Sequence, residues 1–261
     1  MRLTYIKTSG IMTMREMARN RFALILLFTI PILFFTLVSL TMGDNLVAFK
    51  LASISEETIV EVSAQKQSLI FIGVAAVGLL TSFLAMNLIQ KDSDVNRRLI
   101  LCGYRPSELI FAKLGVLLSV VVLISCYVGG ILLLFFRPEN FPYVILGFAL
   151  AGFVHSCYGL LVGAIVRREM EGILLIVLLV NIDSGWLQNP IFYAEAQNKT
   201  LIRFLPAYFP SQASIVSAFT DHGISNPIVG SIIYGSGLLL ISLVIYFWRM
   251  KIKKSTDSFV H

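Results

Sequence analysis

Apolar residues run along this chain in long, nearly unbroken stretches, and the polar positions gather between them. A helix needs roughly 20 apolar residues to cross the hydrocarbon core of a bilayer. The stretches 22–42, 69–89, 113–136, 143–166 and 227–248 meet that requirement. A sixth opens with GILLIVLLV at Gly172 and meets Asn181, Asp183, Gly185 and Pro190 before it is long enough. It is predicted as a span over about 172–190 that breaks early. The first stretch is not a signal peptide, because its apolar run is too long and 21 residues of charged sequence precede it. The pattern predicts an all-α integral membrane protein with six transmembrane helices, one transmembrane domain over residues 1–261.

Three stretches between or beside the spans have a pattern of their own. In TYIKTSGIMTMREMARNR, residues 4–21, Ile11, Met14 and Ala18 fall at helical spacing while Arg15 and Arg19 share another face. This suits an interfacial helix over 8–21 with its apolar stripe in lipid; a generic basic flank is the alternative. In QKDSDVNRRLILCGYRPSELIFAKL, residues 90–114, eight charged residues fall between Lys91 and Lys113. Val95, Leu99 and Cys102 share a face, and Arg97 and Arg98 sit off it. Asp92, Ser93 and Asp94 suit a helix start, Gly103 permits a turn, and Pro106 suits the first turn of the next helix. The expectation is an amphipathic helix over 92–103 lying along the membrane. An ordinary loop is disfavoured by length, since helix connections usually take 2–8 residues. The third stretch, residues 181–219, is too apolar for a free loop yet is broken by Gly185, Pro190, Pro206 and Pro210. Irregular backbone at membrane depth needs protein or a wet cavity around it. Over 184–219 we expect a re-entrant pair of short helices, with a surface loop in the headgroup belt as the alternative.

Composition sharpens this in two places. The chain is 57% hydrophobic and 14% charged, with a mean hydropathy of +0.82, beyond an ordinary soluble domain. Its net charge of +6 is explained by topology. Sixteen of the 21 Lys and Arg lie in the N-terminal flank, the second-to-third and fourth-to-fifth connections and the C-terminus. Positive loops stay cytoplasmic, so both termini are expected inside, and no nucleic-acid partner is implied. No phosphate-binding GxxxxGK[ST] loop occurs; the KKST at Lys253 to Thr256 lacks the preceding glycines. Any energy source must come from elsewhere. Cys102, Cys126 and Cys157 are odd in number, lack metal-ligand spacing and read as small hydrophobes. The sequon Asn198-Lys199-Thr200 matters only in a glycosylating host, and the short chain looks bacterial.

These three stretches, in this order, resemble the permease subunits of type-2 ATP-binding-cassette exporters. RPSELIFAKLG (Arg105 to Gly115), SGWLQNP and FLPAYFPSQA are similar to that family's proline followed by a helix with a lysine, here Lys113, and to its Ser-Gly…Pro and Leu-Pro…Tyr-x-Pro patterns. Where family members often carry a glycine before the coupling helix, this chain reads DSDVNRR. The resemblance spans essentially the whole chain. It implies that the 92–103 helix is a coupling helix seated on a separate ABC-type ATPase subunit, with ATP and Mg held there and no cofactor bound by this chain. Asp92, Asp94, Arg97, Arg98 and Glu108 would then contact the ATPase, and Arg167, Arg168 and Glu171 would make a second contact. It also implies a second permease chain, identical or different, in a bacterial plasma membrane. The second and fifth spans would line the path, making Phe71, Phe83, Met86, Asn87, Asn181 and Asp183 candidates and suiting an apolar or amphipathic cargo.

Ionisable groups inside spans default to functional candidates. His155 is either a hydrogen-bonded interior histidine or a relay or ligand, and Asp183 either lines the path or caps the re-entrant helix at the outer boundary. Gly159 with Gly163, and Ser231 with Gly235, are small pairs that either build a dimer interface or pack the bundle. Rival classes fare worse. No HExxH accompanies the three scattered histidines, and YGSG at Tyr234 to Gly237 has a tyrosine where a rhomboid-type motif needs glycine. An ion-coupled carrier would carry more intramembrane charge or internal repeats. A non-transporting scaffold is the other alternative.

Overall fold

The computed structural model describes residues 3–19, 21–50, 59–90, 99, 103–166, 168–189, 192–193 and 196–257. Helix α1 (Leu3–Arg19) precedes α2 (Arg21–Thr41), and a short antiparallel hairpin, β1 (Leu46–Lys50) and β2 (Ile59–Ser63), leads into α3 (Ala64–Gln90). Then come α4 (Pro106–Leu132), α5 (Phe141–Ile165) and α6 (Glu169–Ile182), the last continuing as a π-helical turn over Asp183–Leu187. Two short helices, α7 (Lys199–Arg203) and α8 (Tyr208–Phe219), precede the long α9 (Ser225–Asp257). Among the described residues, six helices are long and apolar enough to cross a membrane: α2, α3, α4, α5, α6 with its π turn, and α9. This is an all-α membrane architecture. The hairpin is an addition that the span pattern does not announce. Its alternating LVAFK and IVEVS pair Leu46 with Ser63 through Lys50 with Ile59, and Ser63 Oγ donates to Asp44 at 3.0 Å.

Helix α3 is the hub. A helix apolar all round must be buried on all sides, and 78% of its spanning residues are covered by this chain, against 11% for α2 and 17% for the last span. Leu69, Ile70, Val74 and Val77 of α3 meet Phe35 of α2, Ile124 and Val128 of α4, Phe148 of α5, and Ile215 of α8 in one core cluster. The closest approach is α3 to α5, and small residues permit it. A methyl group at Gly159 would overlap the Ser82 carbonyl, and one at Gly163 would lie 3.0 Å from the Met86 oxygen. Gly235 receives the Phe153 ring, and the buried Ser231 donates to the Pro227 carbonyl of its own helix. These small residues therefore pack the bundle of a single chain.

Helix α1 starts earlier than the 8–21 expected. It turns its small residues inward: Ser9 and Thr13 are buried, and Gly10 faces Val116 of α4. Ile11 and Met14 are left on the open side. Helix α9 runs beyond residue 248 to Asp257. The helices alternate between two ends, named here the basic end (α1, the 91–105 segment, Arg168) and the hairpin end (the hairpin, the π turn, α7 and α8).

Candidate functional site

At the basic end, the segment from 91 to 105 leaves α3 and returns as α4. Asp92, Asp94, Arg97 and Arg98 lie outside the described residues, as does Arg167. The return is well defined. Leu99 is helical, Gly103 has φ +92, and the Tyr104 N–H reaches back to the Leu99 carbonyl at 3.1 Å. A left-handed glycine with a bond from the next N–H to the carbonyl five residues back is the Schellman termination of a helix. Tyr104 then sets its ring edge-on to Tyr5 of α1, centroids 4.6 Å apart. Pro106 occupies the first turn of α4, and Glu108 Oε2 accepts the Arg105 N–H at 3.3 Å.

Glu108 thus differs from its expected placement on a docking surface. It is 2% exposed, covered by its own chain, and serves at the start of α4, where a carboxylate suits the helix dipole. Its helix also carries Lys113, 7% exposed, whose Nζ donates to the Leu88 carbonyl in the last turn of α3 at 3.4 Å. From α3, Gln90 Nε2 donates to the carbonyl of Val166, the residue that ends α5, at 3.1 Å. Arg168 and Glu171 form an exposed ion pair at 3.3 Å across the first turn of α6. Such a pair stabilises little in water and leaves both groups available to a partner.

Midway, α2, α3 and α6 frame a half-open pocket of about 150 Å³ with an almost wholly apolar lining, including Leu26, Ile30, Leu79, Phe83, Ile173 and Val177. An open pocket with that lining suits small apolar groups or an acyl chain. Of the candidate path residues, Phe83 lines this pocket. Met86 is fully buried against Val162, Ile176 and Val180, and Phe71 is also buried, so both are withdrawn into the single chain. Asn87 is half-buried and its Oδ1 has no partner among the described residues. Asn181 is exposed on α6 and donates to the Val177 carbonyl at 2.7 Å.

At the hairpin end the fifth span changes to π geometry, a common marker of functional sites within helices. Its residues are held from two sides. His155 Nδ1 lies 2.9 Å from the Ala151 carbonyl, which can only accept, so Nδ1 carries the proton. Nε2 therefore accepts from Ser184 Oγ at 2.9 Å. The ring packs on Gly78 of α3, and Ser82 Oγ donates to the His155 carbonyl at 2.9 Å. His155 is an interior, fully bonded histidine. Next to Ser184, Asp183 is 6% exposed and turns the other way. It accepts from the Ala207 N–H at 2.8 Å, at the start of α8, and from Gln188 Nε2 at 3.2 Å. Asp183 therefore caps the start of α8, and does so from the interior rather than at an exposed boundary.

Sequence reasoning met Lys113 only as the lysine of a family pattern and passed over Gln90, Ser184 and Gln188. The lysine offered a signal, a cation in the first apolar turns of AKLGVLL. The others become visible only once their helices are placed together.

The family model described as ABC-2 family transporter protein matches residues 48–249, more than three-quarters of the chain. The chain belongs to the ABC-2 transporter family. It is a multi-pass membrane permease subunit of an ABC transporter, a kind of subunit that is normally non-catalytic and whose family implies an ABC ATPase partner. The match runs from within β1 into α9 and leaves out α1 and α2. No curated protein matches the permease.

Proposed function

We propose that this permease forms the path of an ATP-driven exporter and is moved by a separate ATPase that grips the 91–105 segment. The observation that carries the reading is the basic-end geometry. A charged segment leaves the central helix α3, ends in a capped helical turn at Gly103 and re-enters through a buried glutamate cap. A lever needs such a rigid root. Asp92, Asp94, Arg97 and Arg98 are the docking side chains, with Arg167, Arg168 and Glu171 as a smaller second contact. ATP and Mg stay on the partner, and this chain takes no part in hydrolysis.

Two permease chains, identical or different, pair around the path in a bacterial plasma membrane with both termini cytoplasmic. Helix α1 lies in the cytoplasmic interface, supported by the outward Ile11 and Met14. The π turn, α7 and α8 form the re-entrant cap on the outer side. Phe83, Asn87 and Asn181 are the path residues this reading keeps. The apolar pocket beside Phe83 supports a cargo with an apolar portion. Purification of the tagged permease in mild detergent tests this. An ABC-type ATPase is expected to co-purify with nucleotide-hydrolysing activity, and its absence across several detergents would remove the basis of the reading.

A further inference from the structure

The basic end holds a stitch that the export reading does not by itself require. Lys113 of α4 donates to the last turn of α3, and Gln90 of α3 donates to the carbonyl that ends α5. Last-turn carbonyls lack helical partners, and a cation or amide donor there both satisfies them and suits the dipole. The stitch therefore joins the basic ends of three successive spans. Both cytoplasmic connections spring from it. The 91–105 segment runs from α3 to α4, and the turn containing Arg168 runs from α5 to α6.

Burial distinguishes this arrangement from surface decoration. Lys113 is 7% exposed although its ammonium would be readily hydrated a turn nearer the loop, and Glu108 on the same helix is 2% exposed. Charged side chains are seldom so covered unless they are paired, and here each meets a helix end. Gly172 at the start of α6 extends the layer. A methyl group there would collide with the Met86 sulfur and stand 3.3 Å from Gln90 Nε2, so the glycine leaves room for the Met86 side chain as well as for the amide that reaches Val166.

We infer that Lys113 and Gln90 are positioning residues for energy coupling: they make the 91–105 segment and the Arg168 turn respond to the ATPase as one body. The inference rests on the coupling reading above. Without the stitch, a push on the 91–105 segment bends α3 against α5 locally and does not carry through to the π turn and α8. With it, α3, α4 and α5 tilt together, and the tight α3–α5 contact conveys the tilt to Ser184 through Ser82 and His155.

The test uses the full permease with its ATPase in lipid nanodiscs, read by hydrogen–deuterium exchange with and without ATP and vanadate. In wild type, trapping is expected to change exchange in residues 196–219. K113M is expected to keep the bound ATPase, the basal hydrolysis and the melting temperature while losing the exchange change, and K113R is expected to restore it. Q90L, which removes only a neutral bond, is expected to give the same loss and serves should K113M fail to fold. A wild-type exchange change in folded K113M or Q90L overturns the inference. So does a wild-type complex whose 196–219 region ignores trapped nucleotide. Failure of the wild-type chain to hold any ATPase overturns the coupling reading itself, a distinguishable result.

Discussion

Replacing Gly159 by alanine tests the packing on which the whole assembly depends. The new methyl group would overlap the Ser82 carbonyl oxygen and stand 2.7 Å from the carbonyl carbon, where ordinary contact begins at 3.4 Å. Backbone cannot swing aside as a side chain can, so α3 and α5 must part by about 1 Å, a gap that forfeits up to half of each neighbouring dispersion contact. The contacts at risk include Gly163 on Met86 and Gly78 under the His155 ring. Overpacking of this kind costs about 3 kcal/mol at the upper end of its usual range. Alanine returns about 1 kcal/mol in helix propensity. The net loss is about 2 kcal/mol, or about 4–8 °C in melting temperature for a chain of this size. Thermal unfolding in detergent reads it directly. Gly130→Ala is the control, because Gly130 is exposed and a methyl group there meets nothing within 4 Å. It is expected to melt at or slightly above wild type. G159A melting alongside G130A would refute the packing argument.

Other outcomes follow from the same geometry. Gly103→Ala strains a left-handed turn and is expected to cost about 1–2 kcal/mol, with weaker ATPase retention; Gly103→Asn, better suited to that region, is expected to lose less. Asp183→Ala leaves the buried Ala207 N–H and Gln188 amide without their acceptor, at about 1–3 kcal/mol each. It is expected to raise hydrogen exchange at the start of α8, whereas Asp183→Asn, which retains an acceptor, shows a smaller rise. Nitrogen-15 spectra of His155 are expected to show the Nδ1-protonated neutral ring, and an Nε2-protonated ring would contradict the Ser184 bond. Val177→Phe fills part of the half-open apolar pocket and is expected to raise the melting temperature slightly through added packing contacts; a lowered melting temperature would show the pocket to be too tight.

The six spans were legible because length and unbroken hydropathy are properties of sequence alone. The breaks at Asn181 to Pro190 and at Gly103 were legible for the same local reason. The hairpin was not, since two five-residue alternations between long apolar runs are a weak signal beside the spans. Glu108 was placed on the docking surface because it stands in the charged stretch that the resemblance makes the coupling segment. Its place three residues after Arg105 and two after Pro106 is a helix-start signature, which the structure uses. Small-residue pairs could not be assigned from spacing, because Gly159 packing on Ser82 is a contact across 77 positions. His155 with Ser184, and Asp183 with Ala207, likewise depend on a π turn that sets neighbouring residues to opposite sides.

The central claim is that the charged segment between α3 and α4 is the handle by which an ATPase drives this permease. Site-specific photo-crosslinking tests it most directly, with a photoreactive amino acid placed at Arg97 and, in a parallel sample, at the exposed Leu134 of the opposite end. The account expects an adduct with an ABC-type ATPase from position 97 and none from 134. An ATPase adduct from 134 alone, or an ATPase that co-purifies yet never crosslinks along 92–98, would contradict it.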